Sequence, residues 1–185
     1  MIAPSVLLAL AVLGLAWAAS GVAMALLGRA TISAVGLTVA GTATLAATVA
    51  EATGHPDLAR SLLVLGWALA MPFAVTAYPT LLWRHPVDAV ALTTVVAAGI
   101  LAILQPRSTP VLDATGVVIG GVLVAHTWWR LERADPDTRP ALAWLAVVGA
   151  GAGLTGLVIT FLAPTDAGAA VAALASARVG PAMLV

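Results

Sequence analysis

The sequence predicts an all-α fold, a polytopic transmembrane helix bundle of six to seven helices in one integral membrane domain spanning residues 1–185. Three observations carry that prediction. Apolar residues make up 62% of the chain and the mean hydropathy is +1.08, against roughly 45 to 50% apolar residues in soluble domains. Charged residues make up only 9%. The apolar residues also come in runs near 20 residues long, the length a helix needs to cross about 30 Å of hydrocarbon at 1.5 Å per residue.

Six runs meet or approach that length: 6–27, 30–50, 62–82, 87–104, 111–129 and 141–163. A seventh, 167–185, is long enough but carries Arg178. Barrel strands are not expected, because lipid-facing strands alternate in polarity and these runs do not. The first run lacks a basic leader and exceeds the usual apolar core of a signal peptide, so it reads as a retained helix. Pro56, Pro86, Pro110 and Pro140 each fall at an expected first helical turn, where a missing amide donor costs nothing. His55, Thr109 or a nearby polar side chain is positioned to cap such a turn. Pro72 and Pro79 predict a kink in the third helix.

Orientation follows from arginine placement. Loops one, three and five hold Arg29, Arg84, Arg130, Arg133 and Arg139, whereas loops two, four and six hold Arg60 and Arg107. Odd loops are therefore expected inside and the N-terminus outside. Trp83, Trp128 and Trp129 precede those inner arginines, where indoles favour the headgroup level. Seven crossings then bring the C-terminus into the cytoplasm, where anything following Val185 would lie. The basic residues are all Arg, with no Lys, a bias that fits a GC-rich bacterial genome and hence a bacterial cell membrane.

Composition excludes several functions. The net charge is zero, so no basic face awaits nucleic acid. There is no Cys, which removes disulfides, thiolate metal sites and cysteine nucleophiles. No HExxH, GxSxG or P-loop motif occurs, and no pair of intramembrane carboxylates points to proton-driven transport or aspartyl proteolysis. Catalytic residues, metal and cofactors are accordingly expected to be none. The expected partners are the lipid bilayer and a second copy in a homodimer, although for the glycine-rich faces packing within the bundle is a plainer reading than dimerisation.

The candidate sensing residues are Glu51, His55 and Asp57 in one loop, with Arg60 beside them and Arg107, Asp113 and Asp166 in neighbouring loops. Glu51 and His55 are four apart, a spacing that would place both on one helical face toward a metal or a proton-coupled ligand. Gly54 and Pro56 interrupt that helix, and a solvated loop with local ion pairs is the plainer reading. His126 lies within the fifth run, one turn before Arg130. A titratable group inside a membrane segment is a functional candidate because its burial must be compensated. The plainer alternative is a hydrogen bond across to a neighbouring helix. The related segments His55-Pro56-Asp57 and His85-Pro86-Val87-Asp88 read as shared helix-start chemistry. Arg178 is expected either to snorkel to the inner headgroups or to pair with an acidic group. Gly116 and Gly120, and Gly149 and Gly153, form GxxxG pairs expected to pack the bundle.

The stretch Trp128-Trp129-Arg130-Leu131-Glu132-Arg133-Ala134-Asp135-Pro136-Asp137-Thr138-Arg139-Pro140, continuing into Ala141-Leu142-Ala143-Trp144-Leu145, resembles a recurring segment of multi-spanning actinobacterial sensor histidine kinases. In that family a basic inner loop leads into a helix with a Leu-x-Trp-Leu start and a Gly-rich crossing. Residues 179–185 resemble the start of the crossing that precedes the kinase core, while Pro140 departs from the family's usual polar residue. The resemblance implies a membrane input domain of a two-component system, with the kinase core following in the cytoplasm. His55, His85 and His126 do not sit in a phospho-acceptor context, so no catalytic role carries over. A small transporter or channel and a structural membrane subunit are the competing readings. A reading frame continuing past Val185 into a dimerisation and ATP-binding region is the expected outcome for the kinase-type reading, and gene sequencing checks it.

Overall fold

The computed structural model describes residues 2–79, 85–162 and 165–184, and of residues 156–162 and 167 the backbone alone. The described residues form helices α1 (Pro4–Leu26), α2 (Thr31–Ala52), α3 (Pro56–Ala77), α4 (Pro86–Leu104), α5 (Thr109–Arg133), α6 (Arg139–Leu162), α7 (Asp166–Ser176) and the single turn α8 (Val179–Ala182). The first five are long and apolar enough to cross a membrane.

Prolines start the helices as the sequence predicts. Pro4, Pro56, Pro86 and Pro110 stand at the first or second helical position, and α6 begins at Arg139-Pro140. The caps differ from expectation. His55 makes no capping bond, whereas His85 Nδ1 accepts from the Val87 amide at 3.2 Å and Thr165 Oγ1 accepts from the Gly168 amide at 3.1 Å. Both α1 and α2 stop at a glycine in the left-handed region, Gly28 at φ 65° and Gly54 at φ 80°. In each case two amides turn back onto free carbonyls: Arg29 to Met24 and Gly28 to Ala25, then His55 to Ala50 and Gly54 to Glu51. A side chain at either glycine would meet the strain of that region.

The first three helices form a tight inner layer. α1 and α2 are held at contact distance by glycines that face each other: a Cβ on Gly41 would lie 2.3 Å from the Ala18 nitrogen, and one on Gly21 2.6 Å from the Thr38 nitrogen. The core built over this pair contains Leu13, Trp17, Met24, Leu37, Ala74 and Met183, with Leu142 and Leu145 of α6 and Ala173 of α7 closing it. Trp17 is fully buried and donates from Nε1 to the Ser176 carbonyl at 3.1 Å, with its ring tilted on Trp67 at 5.3 Å. α4 packs on α3 and α5, and α6 returns to α7, which rests on α1.

α3 carries the irregularity that its prolines predict. Residues Leu65–Ala70 widen into a π-helical stretch just before Pro72. Pro72 has no amide to offer the Ala68 carbonyl. Gly99 of α4 sits against that carbonyl, where a Cβ would approach it to 2.6 Å. Pro79 lies beyond the end of α3 at Ala77, and residues 80–82 of the predicted run lie outside the described residues, as do Trp83 and Arg84.

Two expectations are corrected. The predicted run 167–185 is not one helix: it divides into α7 and α8 at residues 177–178, with Val185 outside the described residues. Pro181 cannot bond the Ala177 carbonyl and its ring crowds it, so the helix breaks there. At 11 residues α7 is only about 17 Å long and does not cross a bilayer by itself. The second correction concerns the GxxxG glycines. A Cβ on Gly116, Gly120, Gly149 or Gly153 would meet nothing within 4 Å, so these four do not bring helices together within the chain. Close approach falls instead to Gly14, Gly21, Gly41 and Gly99.

The two glycine classes are expected to respond in opposite directions. Gly41→Ala forces backbone apart and costs about 1 to 3 kcal/mol, while Gly120→Ala gains helix propensity of up to about 1 kcal/mol. Thermal unfolding in detergent should therefore lower Tm for the first and keep or raise it for the second.

Candidate functional site

The most concentrated chemistry is a buried polar cluster where the end of α3, the start of α4 and the last turns of α5 meet. His126, Trp129, Arg130 and Arg133 recur at the spacing of one helical face. Asp88 stands in the first turn of α4, where the helix dipole favours a carboxylate.

His126 Nε2 lies 2.7 Å from Asp88 Oδ1, the ring nitrogen donating to the carboxylate. Asp88, His126 and Arg130 are exposed by only 2%, 3% and 8%, so water does not compete for their hydrogen bonds. Arg130 Nε is 4.0 Å from the same Asp88 oxygen, and its Nη1 donates to the Tyr78 carbonyl and, at 3.4 Å, to the Thr76 carbonyl. Those carbonyls belong to the terminus of α3, which has no further turn to satisfy them. One guanidinium thus joins three helices.

Aromatic rings roof the cluster on its exposed side. Trp129 stacks over His126 at 6.1 Å and 18°, and His85 leans on Trp129 at 4.6 Å. Arg133 sits 4.9 Å above the same indole, in the range for a cation–π contact. Trp128 points elsewhere and donates to Glu132 at 2.8 Å.

The arrangement favours electrostatic coupling over bond chemistry. A His–Asp pair can orient a base, but the hydroxyl on the adjoining turn, Thr76 Oγ1, is bonded to the Pro72 carbonyl at 2.8 Å, and the chain has no cysteine. Asp88 and Arg130 cancel in charge, so adding a proton to His126 changes the cluster from neutral to positive. Among the described residues no group of three His, Asp or Glu side chains is placed to hold a metal ion.

The other candidates do not converge. Glu51 accepts from the Ile2 amide at 3.2 Å, tying the N-terminal segment to the end of α2. His55 contacts Thr53 at 3.2 Å through Nδ1. Asp57 pairs with Arg107 of the α4–α5 connection at 2.5 Å, both well exposed, and such surface pairs contribute about 0 to 1 kcal/mol. Arg178 is exposed beside the α7–α8 break, between α6 and α7.

Asp88 is the residue that reading the sequence for helix starts undervalues. His85-Pro86-Val87-Asp88 does begin a helix, and His85 does cap it, but Asp88 turns inward while Asp57 of the related segment stays at the surface. The available signal was the face formed by His126 and Arg130, which demanded a carboxylate partner.

Asp88→Asn leaves the buried Arg130 charge uncompensated and is expected to cost about 3 kcal/mol or more. His126→Gln removes one hydrogen bond at about 1 kcal/mol. Chemical unfolding of the two variants in detergent measures the gap, and equal losses would remove Arg130 from the cluster's energetics. Searches against protein-family models, curated proteins and solved structures find no match.

Proposed function

We propose that the chain is a membrane-embedded input domain of a bacterial signal-transducing protein, of the sensor-kinase type, with its N-terminus outside and its C-terminus in the cytoplasm. Five apolar helices of spanning length support residence in a membrane. Arginine placement supports the orientation, and the segment at residues 128–145 supports the kinase-type assignment.

The observation that carries the signalling part is the Asp88–His126–Arg130 cluster. It ties α3, α4 and α5 at one end of the bundle through interactions that depend on charge. The same end receives the C-terminal turn, since Arg29 Nη1 donates to the Leu184 carbonyl at 3.1 Å. Between them runs an apolar groove of about 460 Å³ lined by Met71 and Val75 of α3, Thr127 of α5 and Val179 of α8. A change in the cluster therefore has a short mechanical route to the last turn. Two packings of this end, biased by a ligand, a proton or the bilayer, would constitute the signal.

A transporter or channel finds less support. Of the α2 hydroxyls that would line a path, those of Thr38, Thr42 and Thr44 bond carbonyls of their own helix at 2.8 Å, while that of Ser33 is buried without a hydrogen-bond partner among the described residues.

The absence of native cysteine permits a direct test. Spin labels on a Thr127→Cys, Val179→Cys pair report the distance between α5 and α8 in liposomes without depending on thiol ionisation. The distance distribution is expected to change between pH 5 and pH 8 and to become fixed in the His126→Gln background. A distance that shifts equally with pH in both backgrounds would reject the cluster as the sensing element.

A further inference from the structure

A second cavity, of about 640 Å³, opens between α6 and the α7–α8 break, apart from the buried cluster. Its walls are Trp144, Val148 and Ala152 of α6 with Ala175 and Pro181 opposite, and among the described residues Arg178 is its one charged lining residue. Thr155 also lines it, but its hydroxyl is committed to the Gly151 carbonyl at 2.7 Å. Among the described residues no ion pair or side-chain hydrogen bond engages Arg178. Asp166, on the same segment, lies 12 residues back, about 18 Å along a helix.

We propose that this groove binds one anionic phospholipid, its phosphate on Arg178 and an acyl chain along the α6 wall. The proposal rests on the membrane residence argued above and not on the signalling role. Arginine suits the task because its planar fork meets phosphate oxygens in pairs. Depth agrees as well. Leu184 is held by Arg29 in the α1–α2 turn, and Arg178 lies six residues before it, within about 9 Å along the chain axis. That places the guanidinium just below the headgroup level, where an unpaired cation either snorkels or takes an anionic partner. Trp144, half exposed at the rim, lies on the same groove.

The test uses the full chain in nonionic detergent, titrated with fluorescent phosphatidylglycerol and phosphatidylcholine. One charge-assisted contact predicts about tenfold tighter binding of phosphatidylglycerol. Arg178→Gln should erase that preference by weakening phosphatidylglycerol the more, because the choline cation of phosphatidylcholine already offsets the phosphate charge that the guanidinium meets. Gly151→Leu, at a position where a Cβ meets nothing within 4 Å, should fill the groove and weaken both lipids. Arg139→Gln should keep the preference, and glycerol phosphate should not compete. Equal binding of both lipids, a preference that survives Arg178→Gln, loss of the preference in Arg139→Gln, or competition by glycerol phosphate alone would each overturn the proposal. A wild-type chain that stays dispersed without detergent would instead overturn the membrane reading beneath it.

Discussion

α3 ends at Ala77 with carbonyls that have no further turn to receive them, and the donor comes from another helix. Arg130 reaches across from α5 to Thr76 and Tyr78, and Asp88 of α4 balances its charge. In water such an end would be solvated at little cost. In an apolar surround each unsatisfied group costs several kcal/mol, so the place where α3 stops dictates where α4 and α5 must be. His126 completes the arrangement by donating to the same Asp88 oxygen that Arg130 faces.

The same demand for internal satisfaction explains smaller features elsewhere. The Ser176 carbonyl, released where α7 breaks, takes the Trp17 indole N–H. The hydroxyls of Ser20, Thr38, Thr44 and Thr48 on α1 and α2 fold back onto carbonyls three or four residues earlier. The Ala68 carbonyl freed by Pro72 lies against a glycine instead of a side chain. Each irregularity is met by a neighbour that gives either a donor or room.

The division of labour among glycines follows the same physics. Where helix axes cross closely, as at Gly14 and Gly41, backbone touches backbone and dispersion contacts replace side-chain packing. On α5, and at Gly149, Gly151 and Gly153 of α6, the glycines meet open space, so at these positions the two helices are not drawn in by glycine contacts as α1, α2 and α4 are. The two grooves described above both border α6, which is the structural consequence of that looser fit.

Much of the fold was legible in the chain. Run length and composition were enough for the first five helices, because the length of a membrane-crossing helix is set by bilayer thickness and rise per residue alone. Prolines marked the helix starts for an equally local reason. His126 was identifiable as a buried titratable group needing a partner. Local rules could not supply that partner, since Asp88 is 38 residues away and its segment matches a surface helix start in every nearest-neighbour respect. Nor could they separate the packing glycines from the open ones, as GxxxG spacing describes one helix and contact requires two. The last apolar run met every length criterion and still broke, because Pro181 has no amide for the Ala177 carbonyl four residues upstream, and the adjoining Ser176 carbonyl takes its hydrogen bond from the Trp17 indole of α1. What the sequence by itself determined was the first five helices and the polar groups that must be hidden. Which groups hide together was decided by tertiary structure, because pairing energy in an apolar medium depends on distances between helices and no single helix contains them.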